Sequence, residues 1–70
     1  MANVEAEMVA NVWKVLVAPG TAVKEGDTLV ILESMKMEIP VVAPQDGTVT
    51  AVNVVEGGVV QEGDVIAVVE

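Results

Sequence analysis

The sequence predicts an all-β fold, a sandwich or small barrel, on two observations. Eighteen of the 70 residues are Val, with three Ile and four Thr. Because β-branched side chains favour the pleated, half-buried surface of a sheet, this composition favours strands over helices. Turn-forming residues interrupt the Val-rich runs at short intervals, and no segment has sustained helical periodicity.

Six Val-rich runs are predicted as strands, because each is bounded by residues typical of turns. In chain order they are residues 4–8, 12–17, 28–33, 37–42, 49–55 and 65–69. The turn clusters, in the same order, are Pro19-Gly20, Glu25-Gly26-Asp27, residues 44–47, Gly57-Gly58 and Glu62-Gly63-Asp64. Gly26, Gly47 and Gly63 are interpreted as backbone turn positions, since glycine accepts conformations that other residues avoid.

The chain contains an internal repeat with an offset of 37 residues. Residues 12–33 align with residues 49–70 without a gap, and nine of the 22 pairs are identical, including the whole Glu-Gly-Asp triple. Each half is predicted as strand, turn, short strand, Glu-Gly-Asp turn, strand. Neither half can bury its apolar face alone, so the halves should pack together with pseudo-two-fold symmetry. That symmetry places the linking segment 34–37 and the chain ends at opposite ends of one domain, residues 1–70.

Composition excludes several classes of function. The chain has no Cys and no His, so it lacks a thiolate nucleophile, an imidazole base and the usual zinc ligands, and we expect no catalytic residues and no metal site. A net charge of −8 and a single aromatic residue argue against nucleic acid as a partner. No apolar run approaches the roughly 20 residues that span a bilayer, and the acidic N-terminus is unlike a signal peptide. A cytoplasmic protein without membrane contacts is therefore expected.

Lys36 stands at a predicted chain reversal. Residues 29–42 contain no Gly, Asn or Asp, and as one strand they would run roughly 46 Å at about 3.3 Å per residue. A domain of this length has a radius of gyration of about 11 Å, so the chain must reverse within residues 29–42. Residues 34–37 lie between the two predicted strands, which places the reversal close to Lys36. Tight hairpins usually recruit Asn-Gly or Asp-Gly, but this one is built from Met35, Lys36 and Met37. Two plainer interpretations stay open: a short helical turn over residues 33–38, or an ordinary solvated lysine.

The hexapeptide Glu-Ser-Met-Lys-Met-Glu, residues 33–38, resembles the attachment motif of the biotinyl/lipoyl domain family. In that motif a Met-Lys-Met core carries the modified lysine. The resemblance covers nearly the whole chain, including both Glu-Gly-Asp turns, and points to a biotin carboxyl carrier or a free-standing biotin/lipoyl attachment protein. It implies a flattened barrel of two four-stranded antiparallel sheets with a pseudo-two-fold repeat and the lysine on an exposed hairpin.

The resemblance also implies a function. A biotin protein ligase would attach biotin covalently to Lys36, and the carrier would move a carboxyl group between biotin carboxylase and carboxyltransferase components. Met35 and Met37, and with them Glu33 and Glu38, would be recognised by the ligase and these partners. A monomer is expected.

Two alternatives keep the same fold. A lipoyl domain would use the same lysine for lipoate and acyl transfer, or the chain would accept both cofactors, although lipoyl tips typically place an acid before the lysine. An unmodified adaptor module has no need for Met-Lys-Met.

The sequence also departs from the family pattern. Residues 6–10, Ala-Glu-Met-Val-Ala, stand where many members have Ala-Pro-Met-Pro-Gly, but this segment is far from Lys36 in the chain. Ser34 stands two residues before the lysine, where the commonest form of the motif has Ala.

Overall fold

The structure, a computed structural model, describes residues 2–70; Met1, the first residue of the predicted domain, lies outside them. Eight strands form two four-stranded antiparallel sheets, which confirms the predicted fold class. They are β1 (Ala2–Glu5), β2 (Ala10–Val15), β3 (Ala22–Val23), β4 (Thr28–Ser34), β5 (Met37–Val42), β6 (Gly47–Val52), β7 (Val59–Val60) and β8 (Val65–Val69). Within residues 2–70, no helix is long and apolar enough to cross a membrane.

The 37-residue offset relates the two sheets strand by strand. One sheet has the order β1-β8-β6-β3 and the other β5-β4-β2-β7. Adding the offset to β2, β3 and β4 gives the positions of β6, β7 and β8, and β1 corresponds in the same way to β5. Each sheet is therefore built from strands of both halves, because neither half has enough apolar surface to form a core alone.

Paired hydrogen bonds explain why Glu-Gly-Asp occurs twice. The backbone N–H of Gly26 donates to the carbonyl of Ala43 at 2.9 Å, and that of Gly63 donates to Ala6 at 2.9 Å. Both glycines have a φ near 90°, which side chains disfavour. In each turn the aspartate carboxylate accepts a backbone N–H three residues earlier, at 2.9 Å. This is the local hydrogen bond that makes Asp a turn former.

Gly47 has a different role from the one that its turn-like neighbours predict. It is the first residue of β6, pairs with Val23, and does not have a positive φ. A Cβ atom at this position would collide with the backbone carbonyl of Glu70 and lie 3.0 Å from Val69 Cγ1. The prediction of a turn at Gly47 is wrong, because close packing of the C-terminal backbone, and not a turn, requires glycine here.

The first strand is also displaced from its prediction. Sequence reasoning placed it at residues 4–8, whereas β1 covers Ala2–Glu5 and the chain bends at Glu7 and Met8. The strand ends early because Ala6 bonds to the second Glu-Gly-Asp turn, donating its N–H to Asp64 and accepting from Gly63. Valine content locates a strand well but does not reveal where a tertiary hydrogen bond stops it.

The core lies between the sheets and is apolar throughout. The fully buried side chains of largest volume come from both sheets: Leu29, Val30, Leu32, Val49, Val60, Ile66 and Val69. No buried polar or charged residue occurs among residues 2–70. The 14 buried hydrophobic residues form one cluster, so the two sheets form one packing unit.

The hairpin between β4 and β5 and the C-terminus lie at opposite ends of a molecule 31 Å long and 17 Å across. Thr28 pairs with Val42 at the end of β4 remote from the hairpin, and residues 43–46 turn there into β6. The second residue of β6, Thr48, exchanges backbone hydrogen bonds with Glu70 at 2.7 and 2.9 Å. The hairpin is therefore the end of the protein farthest from its C-terminus.

Candidate functional site

The lysine hairpin, residues 34–37, is closed by a two-residue turn. Ser34 pairs with Met37, which leaves Met35 and Lys36 as the turn. Their φ angles are +53° and +64°, the positive pair that a type I′ turn requires. The strands continue to the turn on both sides, so the helical alternative for residues 33–38 is wrong. A right-handed twist of the flanking strands selects this turn type.

This turn is costly for the residues that form it. A left-handed backbone brings the Cβ atom of an L-residue close to the following carbonyl, at a cost of roughly 1–2 kcal/mol per residue. In residues 2–70 the other positive-φ positions are all glycine. Met35 and Lys36 therefore occupy the turn despite its backbone conformation. Strain of this kind persists where a side chain is needed for function.

The side chains of the hairpin face solvent. Met35 is 91% exposed and Met37 is 65% exposed, and Lys36 between them is exposed as well. A methionine that is almost fully exposed contributes little to the stability of its own domain, but its flexible, polarisable side chain suits a partner's surface. The hairpin thus displays a primary amine between two apolar contacts.

Glu33 and Glu38 lie directly opposite each other at the base of the hairpin. They form a cross-strand pair of β4 and β5, and both are exposed. Like charges in this position repel each other and weaken the sheet. The pair therefore gives the base of the hairpin a negative potential that the fold does not need. A partner with basic side chains would be attracted to it.

The other two lysines lie elsewhere. The Lys14 amine lies 5.7 Å from the centroid of the Trp13 ring on β2, a cation–π arrangement. Lys24 immediately precedes the first Glu-Gly-Asp turn, and its backbone N–H donates to the Asp27 carboxylate. That turn leads into Thr28, at the end of β4 opposite the hairpin. Lys36 is therefore the lysine that a partner reaches at the tip.

Met8 is the residue that sequence reasoning missed. The segment 6–10 is far from Lys36 in the chain, but the fold brings Met8 and Glu7 to a groove that Leu32 and Ile39 also line. Leu32 and Ile39 are a pair on the two strands of the hairpin. The repeat contained the signal: residues 43–46 lie at the end remote from the hairpin, so their counterparts 6–9 must lie at the hairpin end. Met8, Met35 and Met37 therefore all lie at the hairpin end of the molecule.

The chemistry available at the hairpin is that of an accessible amine. The chain has neither Cys nor His, and residues 2–70 contain no cluster of His, Cys, Asp and Glu that could hold a metal ion. An exposed amine on a narrow two-residue turn can enter a partner's active site without a clash from the rest of the domain. It fits a cofactor that is attached through a carboxyl group to a lysine.

A family profile and curated relatives agree with this geometry. The Biotin_lipoyl profile, described as "Biotin-requiring enzyme", matches residues 2–69. The chain is 54% identical over 67 residues to the biotinylated protein TB7.3 homolog of Mycobacterium leprae, covering 96% of this chain and 94% of that protein. It is 49% identical over 64 residues to the biotin/lipoyl attachment protein of Bacillus subtilis, covering 91% of this chain and 88% of that protein. The fold and the hairpin are those of a carrier domain, and the chain belongs to the biotin/lipoyl attachment family.

Solved structures extend the likeness to larger enzymes and to lipoyl domains. A segment of the Kluyveromyces lactis urea carboxylase superposes with a TM-score of 0.92 at 33% identity, covering 99% of this chain and 6% of that one. The lipoyl domain of the 2-oxoglutarate dehydrogenase complex of Azotobacter vinelandii superposes with a TM-score of 0.75 at 27% identity, covering 89% of this chain and 78% of that one. The chain is thus a homologue of biotinylated carrier proteins, a non-catalytic acceptor with a lipoyl-domain-like fold.

Proposed function

We propose that Lys36 is the biotin attachment site and that the biotinylated protein carries a carboxyl group between the active sites of a biotin-dependent carboxylase. One observation supports this most directly: the exposed Lys36 lies in a two-residue turn with exposed methionines on both sides, in a chain homologous to biotinylated proteins. In the attachment step the Lys36 amine attacks the carbonyl of biotinyl-AMP. An amide bond forms, AMP leaves, and the amine gives up a proton.

The protein's own contribution is to mount the arm. The apolar core holds β4 and β5 in register to the last pair, Ser34 with Met37, so the backbone of Lys36 has a defined position at one end of a 31 Å molecule. When bound, biotin supplies a ring nitrogen that takes up and releases the carboxyl group. The domain needs no acid or base of its own, because the reacting atoms lie in the partner's active sites.

The proposed partners are a biotin protein ligase and the biotin carboxylase and carboxyltransferase components. Met35 and Met37 would fill apolar pockets in these partners, while Glu33 and Glu38 would face basic side chains. The carboxylase partners are supported by relatives: the chain is 44% identical over 68 residues to a segment, 6% of the length, of the pyruvate carboxylase of Bacillus subtilis. Action as a monomer and a cytoplasmic location stay predictions.

Lipoate at the same lysine is the second candidate. The structural likeness to a lipoyl domain favours it, as does the similarity to a protein named for both cofactors. The exposed methionines beside Lys36 favour biotin, because the resemblance assigns an acid to the residue before the lysine in lipoyl tips. Both cofactors would form the same kind of amide.

The test is the intact mass of the protein after co-expression with a biotin ligase and biotin, with the modified residue mapped by fragmentation. We expect one biotin on Lys36, and none on Lys36→Arg, which keeps the charge and the fold. Lys24→Arg at the opposite end is the matched control and should be modified like the parent. A mass increase of one lipoyl group on Lys36 would replace the proposed carboxyl transfer by acyl transfer as the protein's function. An unmodified chain, under conditions that modify a known carrier, would contradict the proposal and favour an unmodified adaptor module.

A further inference from the structure

A groove runs along the open side of the sandwich, between the edge strands β1 and β5. This seam groove has a volume of 220 Å³. Its less exposed lining includes Leu32, Ile39 and Val41, and Glu5, Glu7 and Met8 lie at its exposed border. Exposed apolar surface of this kind often marks a binding site, so the position of the groove relative to the hairpin bears on its function.

The seam groove is less symmetric than the fold. Val4 and Val41 correspond under the 37-residue offset, and both line the groove. The middle of the groove is therefore lined by residues that the pseudo-two-fold symmetry relates to each other. Met8 also lines it, but the counterpart of Met8, Gln45, does not. Ile39 likewise has no counterpart in the groove. The groove therefore extends toward the hairpin and not toward the other end, and the difference comes from particular side chains.

The groove and the lysine hairpin form one continuous surface. Ile39 lies two residues from Met37 on β5 and three from Lys36, a distance of roughly 10 Å along the strand. Met8 is 43% exposed and Val9 is 61% exposed, so apolar surface continues from the groove border. A protein that grips the hairpin is thus within reach of the seam groove.

Carboxylates surround this apolar surface. Glu5 and Glu7 lie at the groove, and Glu33 and Glu38 lie at the base of the hairpin. A second copy of the chain, with a net charge of −8, would bring the same carboxylates against these. A segment that carries an apolar side chain between Lys or Arg residues matches both the groove and its charge.

We propose that the seam groove is a second docking site for the ligase that modifies Lys36, occupied by an apolar side chain within a basic segment of that enzyme. This inference rests on the proposed function. A carboxylase needs only the cofactor at the end of its arm and the tip of the hairpin, and can stay clear of the seam groove. The ligase must bring the Lys36 amine itself to its active site, so its surface lies against the protein beside the hairpin.

The experiment measures ligase kinetics with the whole protein as the substrate. Met8→Gln introduces the side chain found at position 45, which corresponds to position 8 under the 37-residue offset. Gln45→Met, the reverse change at the other end of the molecule, is the matched control. We expect KM for the Met8→Gln protein to rise about tenfold with kcat and thermal stability unchanged, because a buried interface contact of this kind is lost. Gln45→Met should leave KM at the parent value.

Charge-reversal variants test the same inference independently. Glu7→Lys should also raise KM and weaken its dependence on salt, whereas Glu25→Lys at the opposite end makes the same change in net charge and should alter KM little. Equal ligase KM values for Met8→Gln and the parent would overturn the inference. So would a rise in KM seen only with a carboxylase as the enzyme, or a parent dimer that Met8→Gln dissociates. A parent protein that the ligase does not modify would instead contradict the proposed function.

Discussion

The turn at Met35 and Lys36 should make the protein less stable than its fold allows. The double substitution Met35→Asn/Lys36→Gly supplies the residues that a type I′ turn favours, without changing the strands. Met35 is 91% exposed, so its removal gives up little buried apolar surface. The perturbation therefore acts on the backbone, through the strain of the turn and the conformational freedom of the unfolded chain.

The magnitude follows from the two φ angles, +53° and +64°. Each left-handed L-residue costs roughly 1–2 kcal/mol. Glycine at position 36 removes this cost there but adds about 0.5–1 kcal/mol of unfolded-chain entropy, and asparagine at position 35 tolerates the conformation better than methionine does. We expect a net gain of about 1–2 kcal/mol in the free energy of unfolding. For a domain of this size the gain corresponds to a rise in Tm of about 7–14 °C.

Calorimetry and chemical denaturation of both proteins measure this difference. Gly63→Ala is the control of opposite sign: Gly63 has a φ of +89°, and a Cβ atom there would meet nothing within 4 Å. Its expected net loss is about 1 kcal/mol, because alanine restricts the unfolded chain and so offsets part of the backbone strain of roughly 1–2 kcal/mol. If Gly63→Ala is destabilised while the hairpin substitution yields no gain, the reasoning about strain at the lysine hairpin is refuted.

Two further predictions concern single side chains. Gly47→Ala should lower the free energy of unfolding by about 2 kcal/mol or more, because the new Cβ collides with the Glu70 carbonyl and crowds Val69; a denaturation midpoint equal to the parent's would contradict this. Glu33→Gln should raise Tm at low salt, since it removes the repulsion from Glu38 across the strand pair, and the gain should shrink as salt is added; a gain that does not depend on salt would point to another cause.

The cost of the hairpin fits a carrier. An Asn-Gly turn would close β4 and β5 with less strain, but it would remove the amine and one of the two exposed methionines. Proteins commonly keep destabilising features where function needs them. Here the destabilised element is one turn at the end of the domain, and its loss of stability is offset by a continuous apolar core.

Much of this protein was predictable from the sequence because its determinants are local or periodic. Valine content and regular turn clusters predicted the strands, and the 37-residue offset predicted short strands that became β3 and β7. The length of residues 29–42 required a reversal, and the gap between the two predicted strands placed it close to Lys36, where the structure has its two-residue turn. These features depend on neighbours in the chain, or on a repeated pattern that can be seen without coordinates.

Tertiary structure alone decided the features that depend on distant segments. The end of β1 is set by the bonds of Ala6 to the second Glu-Gly-Asp turn, and the need for glycine at position 47 is set by the backbone of Glu70. The repeat could place Met8 at the hairpin end, but only the closed sandwich brings it into one groove with Leu32 and Ile39. The sequence determines which residues can form strands and turns, but contacts between segments more than 20 residues apart exist only once both sheets have closed around the core.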